Sequence, residues 1–288
     1  MKICRFKDPR RFQDRIQDYL IEHEAENNLP LGILNNVISG EYNHQDPYLA
    51  YVEQDGKPAI ASLCTPPFPA ILSYQDPAPD DAAIGLLLDD LTAFLGDRFA
   101  GISGEKALAS RMKDLWQDRT GGKAKLHMAM RIYRLNEVIP ARGVPGDIRP
   151  AGEDDRKLMQ DWYAGFQREA VREEPDPEKV QDQVNIYLEA DQKVRGLYFW
   201  EKDGQPVSMA GYAGPTPSGI RVGAVYTPPE QRKQGFASAV TAGVSQHLLD
   251  AGYKFVFLFT DLMNPTSNHI YQQIGFQAVC DVDRYDFG

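Results

Sequence analysis

Residues 220–238, IRVGAVYTPPEQRKQGFAS, constrain this chain more than any other stretch. The apolar run 220–226 predicts a buried strand. Pro228 and Pro229 end it, since proline cannot donate to a sheet ladder. A run of helical character follows from Phe236. Strand, tight loop and helix in that order make an anion cradle, because loop N–H groups and the open donors of a helix N-terminus face one concavity. Gly235 supplies dihedrals that a side chain resists and lets a ligand approach the backbone. Ala237 keeps the helix entry uncluttered, and Arg232 and Lys233 add charge suited to phosphate.

A second block lies one helix and one strand downstream. It has Asn264, a small residue (Ser267) three on, an aliphatic residue and Tyr271, then Gly275-Phe276 four residues later. The Arg-x-x-Gly-x-Ala loop and this block, in this order, resemble the acyl-CoA loop and the later motif of the GNAT superfamily of N-acetyltransferases. The resemblance covers roughly residues 147–288.

It implies an acetyl-CoA-binding fold and direct acetyl transfer to a primary amine in a ternary complex, without an acyl-enzyme. The backbone of Val225, Tyr226 and Thr227 would hold the pantetheine and the acetyl carbonyl. Arg232, Lys233, Gln234, Gly235, Phe236, Ala237 and Ser238 would form the pyrophosphate site. Asn264 and Ser267 match positions that face the pantetheine arm. Tyr271 matches the usual general acid; a phenol of ordinary pKa is protonated at neutral pH, as a donor must be. Glu173 and Glu174, with Asp176, lie in the loop that walls the acceptor site in this family and are candidate substrate contacts. The general base is not assigned, and Asp261 at a strand end is a further candidate.

The chain has 288 residues, enough for two ordinary domains. A net charge of −10 argues against a nucleic-acid backbone as partner. Residues 144–288 hold 14 basic and 21 acidic side chains, against 17 and 20 in 1–143, so the acidity concentrates beside the cradle and suits a cationic acceptor, or is simply a soluble surface. Three scattered cysteines give no zinc pattern and favour a reducing compartment. With neither a signal-type segment nor a membrane span in the pattern, a cytoplasmic protein without a metal is expected.

Helical spacing predicts helices over 8–28, 29–44, 80–95, 104–118, 153–168, 177–190, 236–251 and 265–274. Strands are expected over 48–52, 59–63, 70–74, 99–102, 125–135, 148–150, 197–200, 207–213, 220–226 and 255–260, with a terminal strand pair over 276–287. The linker is expected at 142–146, dividing domains 1–143 and 144–288.

The two halves repeat one order of elements. Glu53-Gln54-Asp55-Gly56-Lys57-Pro58 parallels Glu201-Lys202-Asp203-Gly204-Gln205-Pro206, each an Asp-Gly hairpin signal. Setting Tyr74 against Tyr226 places Asp80 opposite Arg232 and Ala83 opposite Gly235. The first half thus reads as a degenerate copy, since Asp80 and Asp81 repel a pyrophosphate. The expected fold is α/β (α+β), two tandem acyl-CoA N-acyltransferase-type domains, each a mixed, mainly antiparallel sheet flanked by helices. A non-catalytic acyl-CoA sensor is the alternative function.

Overall fold

The computed structural model describes residues 1–40, 46–74 and 76–288. In chain order the elements are β1 (Lys2–Arg5), α1 (Pro9–Glu22), α2 (Asn28–Ser39), β2 (Tyr48–Gln54), β3 (Lys57–Cys64), β4 (Ala70–Leu72), α3 (Asp81–Leu95), β5 (Gly101–Glu105), α4 (Lys106–Thr120) and β6 (Ala124–Leu135). The second half has β7 (Asp147–Pro150), α5 (Arg156–Phe166), a π-helical turn (Gln167–Val171), α6 (Pro177–Glu189), β8 (Gly196–Lys202), β9 (Gln205–Ala213), β10 (Gly219–Tyr226), α7 (Phe236–Asp250), β11 (Phe255–Asp261), α8 (Pro265–Gln273) and β12 (Gln277–Phe287). The helix expected over 29–44 ends at Ser39, where Gly40 takes a left-handed φ of 71° and donates back to the Asn36 carbonyl; residues 41–44 lie outside the described residues.

The chain forms two compact units, Met1–Ile132 with Val279–Gly288, and Tyr133–Ala278. In the first, the strand order is β1-β2-β3-β4-β5-β12-β6. There β1 to β4 pair antiparallel, β4 and β5 pair parallel, and β5 and β12 pair antiparallel. In the second the order is β7-β8-β9-β10-β11, antiparallel except for the parallel pair β10 and β11. Each unit is thus a mixed, mainly antiparallel sheet, as expected.

Strand periodicity explains why both faces of each sheet are covered. Tyr48, Ala50 and Val52 of β2 enter a core with α3 and α4, while Leu49 and Tyr51 enter another with α1 and α2. In the second unit Tyr198 of β8 joins the α7 core, while Leu197 and Phe199 join Met159 of α5 and Val184 of α6. The hairpins repeat in detail. Glu53 opposes Pro58 and Glu201 opposes Pro206, each just after a register shift, and both turns have positive φ at Asp and Gly.

The expected terminal strand pair over 276–287 is one continuous strand, β12. Its eleven residues contain no Gly or Pro to turn the chain. Sequence analysis divided the chain at 143/144, whereas residues from Val279 onward pack with the first unit and Tyr133 and Leu135, at the end of β6, enter the core of the second.

Candidate active site

The site is built at the end of β10. This strand pairs in parallel with β11 over Gly219–Arg221 and Phe255–Phe257. Its register with β9 shifts between Gly223 and Tyr226, a bulge in which Ala224 has φ 48°. A bulge turns backbone N–H and C=O groups out of the ladder, toward a ligand. Gly223 is exposed, and no atom lies within 4 Å of where its Cβ would be.

Beyond the bulge, Pro228 is extended and Pro229–Gln231 make one 3-10 turn. Lys233 and Gly235 follow with φ of 63° and 83°. Both are left-handed, so the chain doubles back and delivers α7 with its first turn open. Among the described residues no side chain caps α7. Asp8, Asp80, Glu105, Asp176 and Asn264 cap α1, α3, α4, α6 and α8, while α2 and α5 share the lack of a side-chain cap with α7. The N–H groups of Phe236, Ala237 and Ser238 therefore lack the acceptor that most helices in this chain carry. A side chain at Gly235 would be strained by φ, and its Cβ would lie 2.9 Å from Val144 Cγ2.

In the first unit a side chain caps the helix that follows β4. α3 and α7 each span 15 residues. Asp80 stands at the N-cap of α3, as Gly235 does for α7, and its Oδ1 accepts from the Ala83 N–H at 2.8 Å. Helix geometry thus corrects the register read from sequence: Asp80, not Ala83, is the counterpart of Gly235. Short strings fix such a match only to within a few residues, whereas a cap is set by hydrogen bonds. Asp81 in the first turn is held by the Arg111 guanidinium at 2.6 and 3.0 Å. A carboxylate of the chain itself occupies the position an anion would take. Replacing Asp80 with Ala should cost about 1 kcal/mol of stability, the usual value of an N-cap. A urea melt with an unchanged midpoint would refute that capping role.

Arg232, expected at a phosphate, donates from Nε to the Thr227 carbonyl at 2.9 Å and from Nη2 to Glu169 Oε2 at 2.6 Å. Lys233 and Gln234 are exposed on the loop. Tyr226 is half-buried, its hydroxyl donating to Glu169 Oε1 at 3.3 Å. Burial, then the Glu169 carboxylate, raises its pKa. Ser208 Oγ donates to the Tyr226 carbonyl at 3.1 Å and lies 2.8 Å from Thr227 Oγ1.

Tyr271 sits in the last turn of α8, 8% exposed, in the core shared with Tyr133 and Phe276. Burial pushes its phenol up to about 12, and a hydrogen bond with the Ser267 side chain pulls the other way. Ser267 thus touches Tyr271. Asn264 is spent on local structure, its Oδ1 accepting from the Ser267 N–H at 3.1 Å. Asn268, which sequence reading passed over, ties α8 down: Nδ2 donates to the Asp261 and Asn264 carbonyls at 2.9 and 2.8 Å, and Oδ1 accepts from Tyr133 at 3.1 Å. Its signal was the Asn-x-x-x-Asn spacing, one helical turn apart.

Glu173 and Glu174 are both exposed beyond the π-helical turn. Glu174 lies 3.8 Å from Arg168. Asp261, at the end of β11, pairs with Arg172. Glu169 reaches β10 through the Tyr226 hydroxyl; its sequence context, between a helix and a loop, gives no sign of this, since acidic residues there usually face solvent. No group of His, Cys, Asp and Glu among the described residues is arranged to hold a metal. No helix of the described residues is long and apolar enough to cross a membrane.

The model of the acetyltransferase (GNAT) family matches residues 156–276. No curated protein sequence matches the chain. A Drosophila protein of known structure is similar at TM-score 0.66 and 13% identity, over 99% of this chain and 98% of its own. An acetyltransferase from the GNAT family from Colwellia psychrerythraea is similar at TM-score 0.61 and 13% identity, over 100% of both chains. A GCN5-related N-acetyltransferase from Kribbella flavida is similar at TM-score 0.60 and 14% identity, over 90% of this chain and 95% of that one. At such identities the likeness is one of fold, and it runs through both units.

Proposed function

We propose, from the match of residues 156–276 to the model of the acetyltransferase (GNAT) family, that this chain transfers an acetyl group from acetyl-CoA to a primary amine. The observation that carries the proposal is the uncapped N-terminus of α7, entered through left-handed Gly235 directly after a bulged strand. Backbone N–H groups of residues 234–238 fit a pyrophosphate, a dianion that needs several donors and no cavity. The chemistry of the donor set agrees, since backbone N–H groups are donors that do not ionise in the neutral range.

In this reading the amine attacks the thioester carbonyl directly. The C–N bond forms, the C–S bond breaks, and the electron pair leaves on sulfur. Backbone donors at the bulge, around Val225, Tyr226 and Thr227, polarise the carbonyl and stabilise charge that grows on its oxygen. Tyr271 hands its proton to the departing thiolate. The proton lost by the attacking nitrogen passes to solvent water, from which the phenolate is protonated again. The raised pKa keeps the phenol protonated between turnovers throughout the neutral range. Glu173 and Glu174 are the proposed contacts of a cationic acceptor. The second half, 144–288, holds the site, and the first, 1–143, keeps the fold with its cradle closed by Asp80. Free Cys4, Cys64 and Cys280 suit a reducing, cytoplasmic setting.

Calorimetric titration with acetyl-CoA should give one site per chain. Gly235→Val should abolish that binding at accessible concentrations while the protein stays folded, because the branched side chain is strained at this φ and meets Val144. Two equivalent sites, or unchanged affinity in the variant, would count against the proposal. A thiol-release assay across amines then tests transfer itself.

A further inference from the structure

Arg232 is the cation of the loop, yet its fork is engaged by the chain. Its Nε donates to the Thr227 carbonyl and its Nη2 to Glu169, at 2.9 and 2.6 Å. The guanidinium carbon lies 5.9 Å from the centre of the Tyr226 ring. The second oxygen of Glu169 takes the Tyr226 hydroxyl. Tyr226 is itself seated tightly, for a Cβ on Gly165 of α5 would fall 2.6 Å from its ring. Four residues, Glu169, Tyr226, Thr227 and Arg232, thus close a ring around the turn by which β10 enters the loop.

We propose that Glu169 is a positioning residue for the acyl-CoA cradle, acting through Arg232, and that Arg232 shapes the loop instead of touching phosphate. This inference rests on the acyl-CoA reading above. A planar guanidinium satisfies acceptors at fixed angles, so two acceptors on different segments lock those segments together. Turning the guanidinium plane toward a phosphate strains both bonds, since they fix its orientation. The lock matters because the left-handed residues Lys233 and Gly235 follow at once. Without a fixed entry, the loop samples other paths and the donors of residues 234–238 lose their common aim, at an entropic cost to binding. Glu169 is well placed for this, since it projects from the π-helical turn Gln167–Val171 and the Tyr226 hydroxyl fixes its second oxygen.

The test is titration of the full-length chain with acetyl-CoA in Arg232→Glu, Glu169→Arg, the double exchange and Glu169→Gln, with folding checked by circular dichroism. Each single charge reversal should weaken binding about tenfold or more. Exchanging both charges should restore affinity to within about threefold of wild type, the signature of a pair. Glu169→Gln should weaken it by up to about fivefold, as for an exposed ion pair. A double variant no tighter than Arg232→Glu overturns the proposal, and so does Glu169→Gln binding as well as wild type or better. In either case Arg232 serves the phosphate directly and Glu169 only competes for it. A wild-type chain that binds no acetyl-CoA overturns the acyl-CoA reading itself, and this inference with it.

Discussion

Tyr271→Phe is expected to lower turnover by about 10²- to 10⁴-fold, the usual contribution of a positioned proton donor, with acetyl-CoA affinity little changed. The ring is retained, so the packing against Tyr133 and Phe276 survives. What is lost is the hydroxyl and its bond with Ser267, about 1 kcal/mol of stability by ordinary hydrogen-bond values. The two consequences separate acid from packing residue. A packing role predicts a small stability change and full turnover; the acid role predicts the kinetic loss at temperatures where the protein is folded. The pH profile gives a second check. Burial holds this phenol at about 12, so a donor stays protonated well into the alkaline range. Tyr271 should therefore impose no alkaline fall in rate below about pH 10. Single-turnover rates equal to wild type would sink the assignment.

Deleting residues 279–288 is expected to unfold the first unit, although these residues lie at the far end of the sequence. Val282 to Asp286 form a five-residue antiparallel ladder with β5. Asp281 takes Arg131 at 2.6 and 3.0 Å, and Asp286 lies 2.7 Å from His127 Nδ1. Phe287 stacks on Trp116 with ring centres 4.0 Å apart and planes 8° apart, and meets Phe99 edge-on at 5.2 Å. Removing them strips the edge of β5 and exposes part of the first core. The loss is on the order of 5 kcal/mol, comparable with the whole stability of many domains. A fragment 1–143 should fail to fold for the same reason. Urea melts followed by far-ultraviolet circular dichroism and by tryptophan fluorescence, with Trp162 and Trp200 replaced by Phe so that Trp116 alone reports, give the outcome. A truncated chain with a single wild-type transition would show that β12 contributes little to the first unit.

The backbone path of the loop before α7 is legible because its signals are local. Gly235 is conspicuous: a glycine between a strand and a helix announces a left-handed turn, and the structure has one, with φ 83°. The Asp55-Gly56 and Asp203-Gly204 hairpins follow from dipeptides whose turn type admits few alternatives. Contacts between segments were not legible. Glu169 bonds to residues 57 and 63 positions away, and no periodicity within either segment points to the other. Arg232 is expected at a phosphate from its charge and its place in the Arg-x-x-Gly-x-Ala loop, and neither signal points to Glu169. Asn264 was read by its motif place, yet its side chain serves as a helix cap.

By itself the sequence determined the kinds of element, their order, the repeat, and the strand–loop–helix cradle, since these rest on periodicity, glycine and proline within about 20 residues of one another. Only the tertiary structure decided which partners those elements take. It sends residues 279–288 to the first unit rather than the second, sets Asp80 rather than Ala83 in the place of Gly235, and gives Arg232 to Glu169. Strand pairing and ion pairing depend on distance in space, and an apolar strand carries the same alternation whichever edge it joins. The choice is made when the cores close and each edge, cap and charge finds the group that satisfies it.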